Sequence, residues 1–110
     1  MSNVRPQDLP SGMNRDLSDG FHPRQLVQLA KEHAPEYPWL PDALASCGGG
    51  AWESPAYVGY VSRHNPNQSG AEWQFMANVV LRHGELGTVV IDILKGNRLG
   101  GIELVNRIPE

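Results

Sequence analysis

Residues 88–104, TVVIDILKGNRLGGIEL, contain two apolar runs separated by a short polar stretch. In both runs apolar residues recur at every second position, and the side chains of a strand point alternately to opposite faces. Between the runs, Gly96 and Asn97 both tolerate positive φ, which is one of the strongest short-range signals for a β-hairpin. The stretch therefore predicts two antiparallel strands with one buried face. The side chains that share this face are Val89, Ile91, Ile93, Ile102 and Leu104.

Two earlier segments also have strand character. One is a long alternating segment ending at His83, and the turn from His83 to Gly87 connects it to the hairpin. Another is rich in Tyr and Val and precedes a polar loop over residues 63–70. We place the four strands at Ala56–Ser62, Ala71–His83, Thr88–Leu94 and Leu99–Ile108.

A helix is predicted before the strands. It begins at Pro23, whose fixed φ suits the first helical turn. Apolar residues recur at helical spacing until His33, and the helix ends at Ala34 because the residue before a proline is disfavoured in the α region. From Pro35 to Pro55 the chain is predicted to form a long aromatic loop that holds one short helical turn, beginning at Pro41 and closed by Gly48.

These elements predict an α+β fold: an N-terminal amphipathic helix packed on a four-stranded, mainly antiparallel sheet. A parallel connection would need about a dozen intervening residues, and none of the predicted strands is separated from the next by a helix. Residues 21–110 are predicted to form a single domain. Residues 1–20 contain few large apolar side chains and are predicted to be a mobile arm.

Composition limits the classes of function. The 110 residues carry 9 basic and 12 acidic side chains, a net charge of −3, which argues against a dedicated nucleic-acid binder and against an anionic membrane surface. No apolar run approaches the roughly 20 residues of a membrane span. The polar start of the chain is unlike a signal peptide, and the one cysteine cannot form an internal disulfide. We therefore expect a cytoplasmic protein.

Cys47 precedes three glycines, and glycine amides beside a thiol could form an oxyanion site. A small enzyme that uses Cys47 or a loop histidine is therefore one alternative. The surrounding residues match no cysteine-protease signature, and nothing in the sequence connects Cys47 with a histidine. The four histidines also lack zinc-ligand spacing, and no phosphate-binding motif occurs. We predict no catalytic residue, no metal and no cofactor. The histidines are His22, His33, His64 and His83.

A protein-binding module is the favoured interpretation. Trp39 and Trp52 lie in a proline-rich loop, where an aromatic side chain covers the core or contacts a partner. We predict a partner-binding surface formed by Trp39, Trp52 and Glu53 together with the end of the sheet near Glu72.

Two alternatives to this surface remain open. One is a carboxylate-lined sheet face for a basic partner, formed by Glu72, Asp92 and Glu103, on which Arg82 and Arg107 are also expected. The other is a homo-oligomer paired through sheet edges.

The small size, mild acidity and lack of an active-site motif resemble the immunity proteins of bacterial contact-dependent or polymorphic toxin systems. The hairpin over residues 90–104 is also similar to hairpins in small bacterial proteins. The resemblance implies a protein that neutralises a cognate toxin domain by binding it, often over its active site. Immunity proteins share no sequence signature, so it assigns no functional residue. A basic toxin domain encoded by the adjacent gene is the partner that it implies.

Overall fold

Five strands form one antiparallel sheet in the computed structural model, which describes residues 20–48 and 50–108. Their order across the sheet is β1-β2-β5-β4-β3, so that the predicted hairpin β4–β5 lies near the centre. Every neighbouring pair is antiparallel. The strands are β1 Ala51–Ser54, β2 Tyr57–Gly59, β3 Phe75–His83, β4 Gly87–Leu94 and β5 Arg98–Leu104.

Two α-helices precede the sheet, α1 at Val27–His33 and α2 at Leu40–Ser46. A 3₁₀ turn at Pro23–Leu26 leads into α1, and a second 3₁₀ turn at Val105–Arg107 follows β5. The α1 helix ends where expected, since Ala34 before Pro35 has a φ of −134°. A proline in the first turn of α2 likewise agrees with the helical turn predicted from Pro41.

The α+β class is confirmed, and four details of the prediction are wrong. The sheet has five strands rather than four, because β1 lies within the predicted aromatic loop. Two helices rather than one pack beside it, and they occupy residues in the first half of the chain rather than its N-terminus. The strand predicted from Ala71 begins only at Phe75. The predicted arm over residues 1–20 lies outside the described residues, apart from Gly20.

The main core lies between the helices and one face of the sheet, which we call the inner face. Alternation places Val89, Ile91 and Ile93 of β4 on this face, as predicted, and their side chains are buried. Leu26, Leu40 and Leu44 from the helical layer are also fully buried in the same cluster. Each such side chain contributes about 1.5–3 kcal/mol through burial, so the core holds the sheet against the helices.

A tight turn joins β4 to β5. Gly96 and Asn97 have φ values of 84° and 58°, the left-handed region that the sequence requires of them. Together with an irregularity between Asp92 and Ile93, this turn fixes the register in which Asp92 pairs with Gly101 and Ile91 with Ile102. It thereby decides which side chains of β4 and β5 face away from the core.

Candidate protein-interaction surface

The second face of the sheet, which we call the outer face, lies opposite the helical layer. Tyr57 of β2 pairs with Glu103 of β5, and Glu103 pairs with Val90 of β4. Two residues further along, Gly59 pairs with Gly101, and Asp92 pairs with both Gly101 and Asn78. These residues alternate with the buried residues of the inner face, so they form the surface that the core leaves open.

A hydrogen-bond network connects three strands at the centre of this face. The Tyr57 hydroxyl donates to Oδ2 of Asp92 at 2.8 Å, and the Asn78 amide donates to Oδ1 of the same carboxylate at 2.7 Å. Hydrogen bonds to an ionised acceptor are stronger than neutral ones. The Asp92 carboxylate is therefore held in one orientation by donors from β2 and β3.

The Tyr57 phenol keeps its proton in this environment. Burial raises the pKa of Tyr57 well above its ordinary value, and the hydrogen bond to Asp92 raises it further, although a hydrogen bond with Arg63 acts in the opposite direction. The hydroxyl therefore remains a donor to Asp92 throughout the neutral pH range.

Two glycines form the floor beneath these side chains. A Cβ atom on Gly101 would collide with the hydroxyl end of Tyr57, and one on Gly59 would lie 2.7 Å from Oε2 of Glu53. Any larger residue at Gly101 would therefore push Tyr57 away from the sheet. The side chains of Tyr57 and Glu53 lie flat over the strands because these two positions have no side chain.

Arg63 fixes the loop between β2 and β3 over the same face. Its guanidinium carbon lies 4.6 Å from the ring centroid of Tyr57 and 4.7 Å from that of Trp73. Cation–π contacts of this kind contribute about 0.5–2 kcal/mol each. Trp73, which is only 5% exposed, thus packs on the outer side of the sheet near Leu94 and Gly100 rather than in the main core cluster.

We call the set Glu53, Tyr57, Arg63, Asp92 and Glu103 the outer patch. Three carboxylates and one guanidinium give this small area a formal charge of −2, most of the net −3 of the whole chain. Tyr and Arg are also the side chains that contribute most to protein interfaces. The outer patch is therefore an acidic surface with a rigid, partly buried aromatic centre, suited to contact with a basic protein.

The residues predicted to form the partner-binding surface are not all brought together. Trp39 and Trp52 pack against the main core as partly buried side chains; Trp39 contacts Tyr37 edge to face, and Trp52 contacts Phe21 in the same way at 6.0 Å. Glu53 follows Trp52 in β1 and belongs to the outer patch. Glu72 is exposed in the loop that carries Arg63 and Trp73. The two tryptophans thus lie on the core side, and Glu53 lies on the outer face.

The alternative carboxylate face agrees better with the geometry. Asp92 and Glu103 share the outer face, as their alternation predicts. Arg82 lies on the same face, where it pairs with Thr88 of β4. Arg107, which was expected on that side, instead donates to the carbonyl of Pro55 at 3.2 Å and lies near the ring of Trp52.

Sequence reasoning missed Tyr57, Asn78 and Arg63. Tyr57 and Asp92 are 35 residues apart, and their contact depends on β5 lying between β2 and β4. A signal was present in the polar residues at alternate positions of predicted strands, Tyr57, Asn78 and Asp92. That signal identifies a contact only in combination with the order of the strands.

Cys47 lies in a cavity of about 240 Å³ that His22 and Tyr60 also line. Burial raises the pKa of the Cys47 thiol, and a hydrogen bond with the Tyr60 hydroxyl opposes this rise only in part. The thiol itself donates to the carbonyl of Leu44 at 3.5 Å. A nucleophilic cysteine needs a lowered pKa, so this environment favours an inert, protonated thiol.

Within residues 20–48 and 50–108, His, Cys, Asp and Glu side chains form no group of three or more that could bind a metal ion. In the same part of the chain, no helix has the length and apolar character needed to cross a membrane.

Comparisons with family models, with curated proteins and with solved structures found no match to this chain. Functional inference for this protein therefore rests on its own geometry.

Proposed function

We propose that this protein is a protein-binding module, and that it acts as an immunity protein by binding and neutralising a cognate bacterial toxin domain. The observation that carries the proposal is the outer patch, a rigid acidic surface on the open face of the sheet. Its centre is the Tyr57–Asp92–Asn78 network, whose side chains are already ordered. A surface ordered in advance loses little side-chain entropy when a partner binds.

The charge of the outer patch favours a basic partner. Toxin domains that attack nucleic acid must hold phosphates and tend to be basic, and an acidic surface attracts such a partner and increases its association rate. Glu53 and Glu103 are the carboxylates best suited to this role, since Asp92 is held by two donors of its own sheet. In this proposal Tyr57 and Arg63 supply the surface area that the partner buries on binding.

The alternative function, an enzyme that uses Cys47, is less well supported. Burial raises the pKa of Cys47, and its hydrogen bonds are with Leu44 and Tyr60 rather than with a histidine. Binding by surface complementarity requires no reactive group, so it is compatible with this arrangement.

The test is binding to the product of the adjacent gene, measured by calorimetry and by association kinetics at two salt concentrations. We expect the double variant Glu53→Lys/Glu103→Lys to lower the association rate about tenfold or more, with a weaker salt dependence than wild type. Glu32→Lys/Glu36→Lys is the matched double charge reversal and should bind as wild type does, because both glutamates are exposed on the helical side of the protein. Equal binding by wild type and the double variant would overturn the outer patch as the interface.

The surface that includes the loop tryptophans is tested in the same experiment with Trp52→Ala. An aromatic at the centre of an interface contributes on the order of 2 kcal/mol, about a thirtyfold loss of affinity on truncation. Loss of binding in Trp52→Ala alone would move the interface to the β1 edge. If the folded wild-type protein does not bind the adjacent gene product, the immunity function is wrong.

A further inference from the structure

The two edges of the sheet differ in how they are protected. The β1 edge has four residues, contains a register shift between Trp52 and Ser54, and is followed by Pro55. Short length, a bulge and a nearby proline are the devices by which proteins prevent an edge strand from pairing with another chain. The β1 edge is therefore a poor site for strand addition.

The β3 edge lacks this protection over its middle. It has nine residues, pairs with β4 alone among the strands of residues 20–48 and 50–108, and has its register shift at the start, between Phe75 and Ala77. Residues 77–81 include no charged residue, no glycine and no proline. A long edge of this kind pairs readily with another strand.

Large apolar side chains are also exposed along this strand. Phe75 is 39% exposed, Met76 46% and Val80 55%. They are three of the four exposed large apolar side chains in the described part of the chain. Within the described residues, the strand thus combines two features: backbone groups that no other strand pairs, and an exposed apolar side chain at its middle, Val80, which a pairing strand would cover.

We infer that β3 pairs with β3 of a second copy of this chain, in antiparallel orientation, with Val80 opposite the second copy's Val80. The two five-stranded sheets would then form one continuous ten-stranded sheet. This inference does not require the proposed function, because it rests on the edge of β3 and on Val80; Asn78, which donates to Asp92, is the residue that the two proposals share.

Charge complementarity supports this register. In it, Arg82 lies opposite the second copy's Asn78, and the two-fold symmetry makes this contact twice. The Asn78 amide nitrogen donates to Asp92, which directs its carbonyl oxygen towards a donor on the other side. Arg82 supplies that donor, and the Asp92 carboxylate behind Asn78 attracts the guanidinium further. No like charges oppose each other in this arrangement.

The inner face is compatible with the same register. Val79 lies opposite the second copy's Leu81, and both side chains are buried against the core in each copy. Apolar residues therefore oppose each other on the inner face, and the two Val80 side chains oppose each other on the outer face. The inner face of one copy continues into the inner face of the other, and the same holds for the outer faces.

The contact would be small, since about seven residues of each copy pair. Interfaces below about 1,200 Å² are typical of weak association, so we expect a dissociation constant of about 10–100 µM.

The first experiment is sedimentation of the full chain over a concentration series. Wild type should shift from monomer towards dimer across this range, whereas Val80→Lys should remain monomeric because it places two lysines opposite each other. Ala45→Lys on the exposed surface of α2 is the matched control and should behave as wild type. The inference is overturned if wild type stays monomeric at about 500 µM, well above the expected constant, or if Val80→Lys associates as wild type does.

The second experiment tests the register in a Cys47→Ser background. Directly opposed residues of an antiparallel pair have Cβ atoms about 4.5–5.5 Å apart, close enough for a disulfide after small adjustments. Mild oxidation should give a covalent dimer of Val80→Cys. Val90→Cys, on the same face but in the adjacent strand β4, should stay monomeric. Equal cross-linking of both variants, or cross-linking of neither, would contradict pairing at Val80.

Discussion

The Tyr57 hydroxyl reaches across strand β5 to donate a 2.8 Å hydrogen bond to Oδ2 of Asp92. The two residues belong to β2 and β4, which do not pair with each other, and the phenol ring crosses β5 above Gly101. One side chain thus connects the edge half of the sheet to its central hairpin on the outer face. The contact depends on the absence of a side chain at Gly101.

Gly101→Ala tests this dependence. A methyl group there would collide with the Tyr57 hydroxyl end, displacing the ring and breaking its bond to Asp92. We expect the free energy of unfolding to fall by about 1–3 kcal/mol, from overpacking and the lost hydrogen bond. Denaturant unfolding measures the change.

Gly84→Ala is the matched control for this substitution. No atom of the described residues lies within 4 Å of a Cβ atom at Gly84, and the residue lies in an exposed turn. Its effect should stay within about 0.5 kcal/mol. Equal effects of the two substitutions would show that Tyr57 can move without cost.

Tyr60 makes the stability of the protein sensitive to alkaline pH. Burial raises the pKa of Tyr60, and its interaction with Cys47 raises it further. In the unfolded chain the phenol ionises near its ordinary pKa of about 10. Above that value the unfolded state binds fewer protons than the folded state, so stability falls as pH rises towards the folded-state pKa.

We therefore expect wild type to lose stability above about pH 10 more steeply than Tyr60→Phe does. Between about pH 6 and about pH 8 the difference in unfolding free energy between the two proteins should be constant, because the phenol is protonated in both states. Urea unfolding at a series of pH values gives both quantities. A difference that stays constant into the alkaline range would contradict the assigned burial of Tyr60.

The parts of this fold that were predictable from sequence are those with local causes. Gly96 and Asn97 specify the turn of the β4–β5 hairpin, and Pro35 ends α1, since both effects act within a few residues. Strand β1 was not predictable, because four residues offer too few alternations to separate a strand from a loop. Its pairing with β2 is decided by tertiary contacts, including Trp52 against Phe21.

In the outer patch too, some features follow from local sequence and others depend on tertiary contacts. The alternation of β4 and β5 is enough by itself to predict that Asp92 and Glu103 share one face. The contact of Asp92 with Tyr57 could not be predicted, because it joins residues 35 positions apart through the strand order. The contact with Asn78 lies within the β3–β4 hairpin, where the register continued from the His83–Gly87 turn places Asn78 opposite Asp92. Where several short strands pair in non-sequential order, periodicity gives the faces of each strand but not its neighbours.

Arg63→Ala should loosen the loop over residues 61–74. The guanidinium contacts the rings of Tyr57 and Trp73, and its removal eliminates both contacts. We expect faster amide hydrogen exchange in this loop and a loss of about 0.5–2 kcal/mol of stability. Lys31→Ala, on the exposed surface of α1, is the control and should leave exchange in the loop unchanged. Unchanged exchange in Arg63→Ala would mean that the loop is held by its backbone hydrogen bonds alone.

Cys47 should be an unreactive thiol whose loss the protein tolerates. Because burial raises the pKa of Cys47, the fraction of thiolate at neutral pH is below that of an ordinary cysteine. We therefore expect a thiol reagent at about pH 7.5 to react about tenfold or more slowly with the folded protein than with the urea-unfolded chain. Both the higher pKa and the partial burial of the thiol slow the reaction.

Cys47→Ser should retain partner binding at matched folded concentration, since the outer patch does not include this residue. Fast reaction of the native thiol, together with a hundredfold or greater loss of biological activity in Cys47→Ser, would instead support an enzyme that uses the cavity shared by Cys47, His22 and Tyr60.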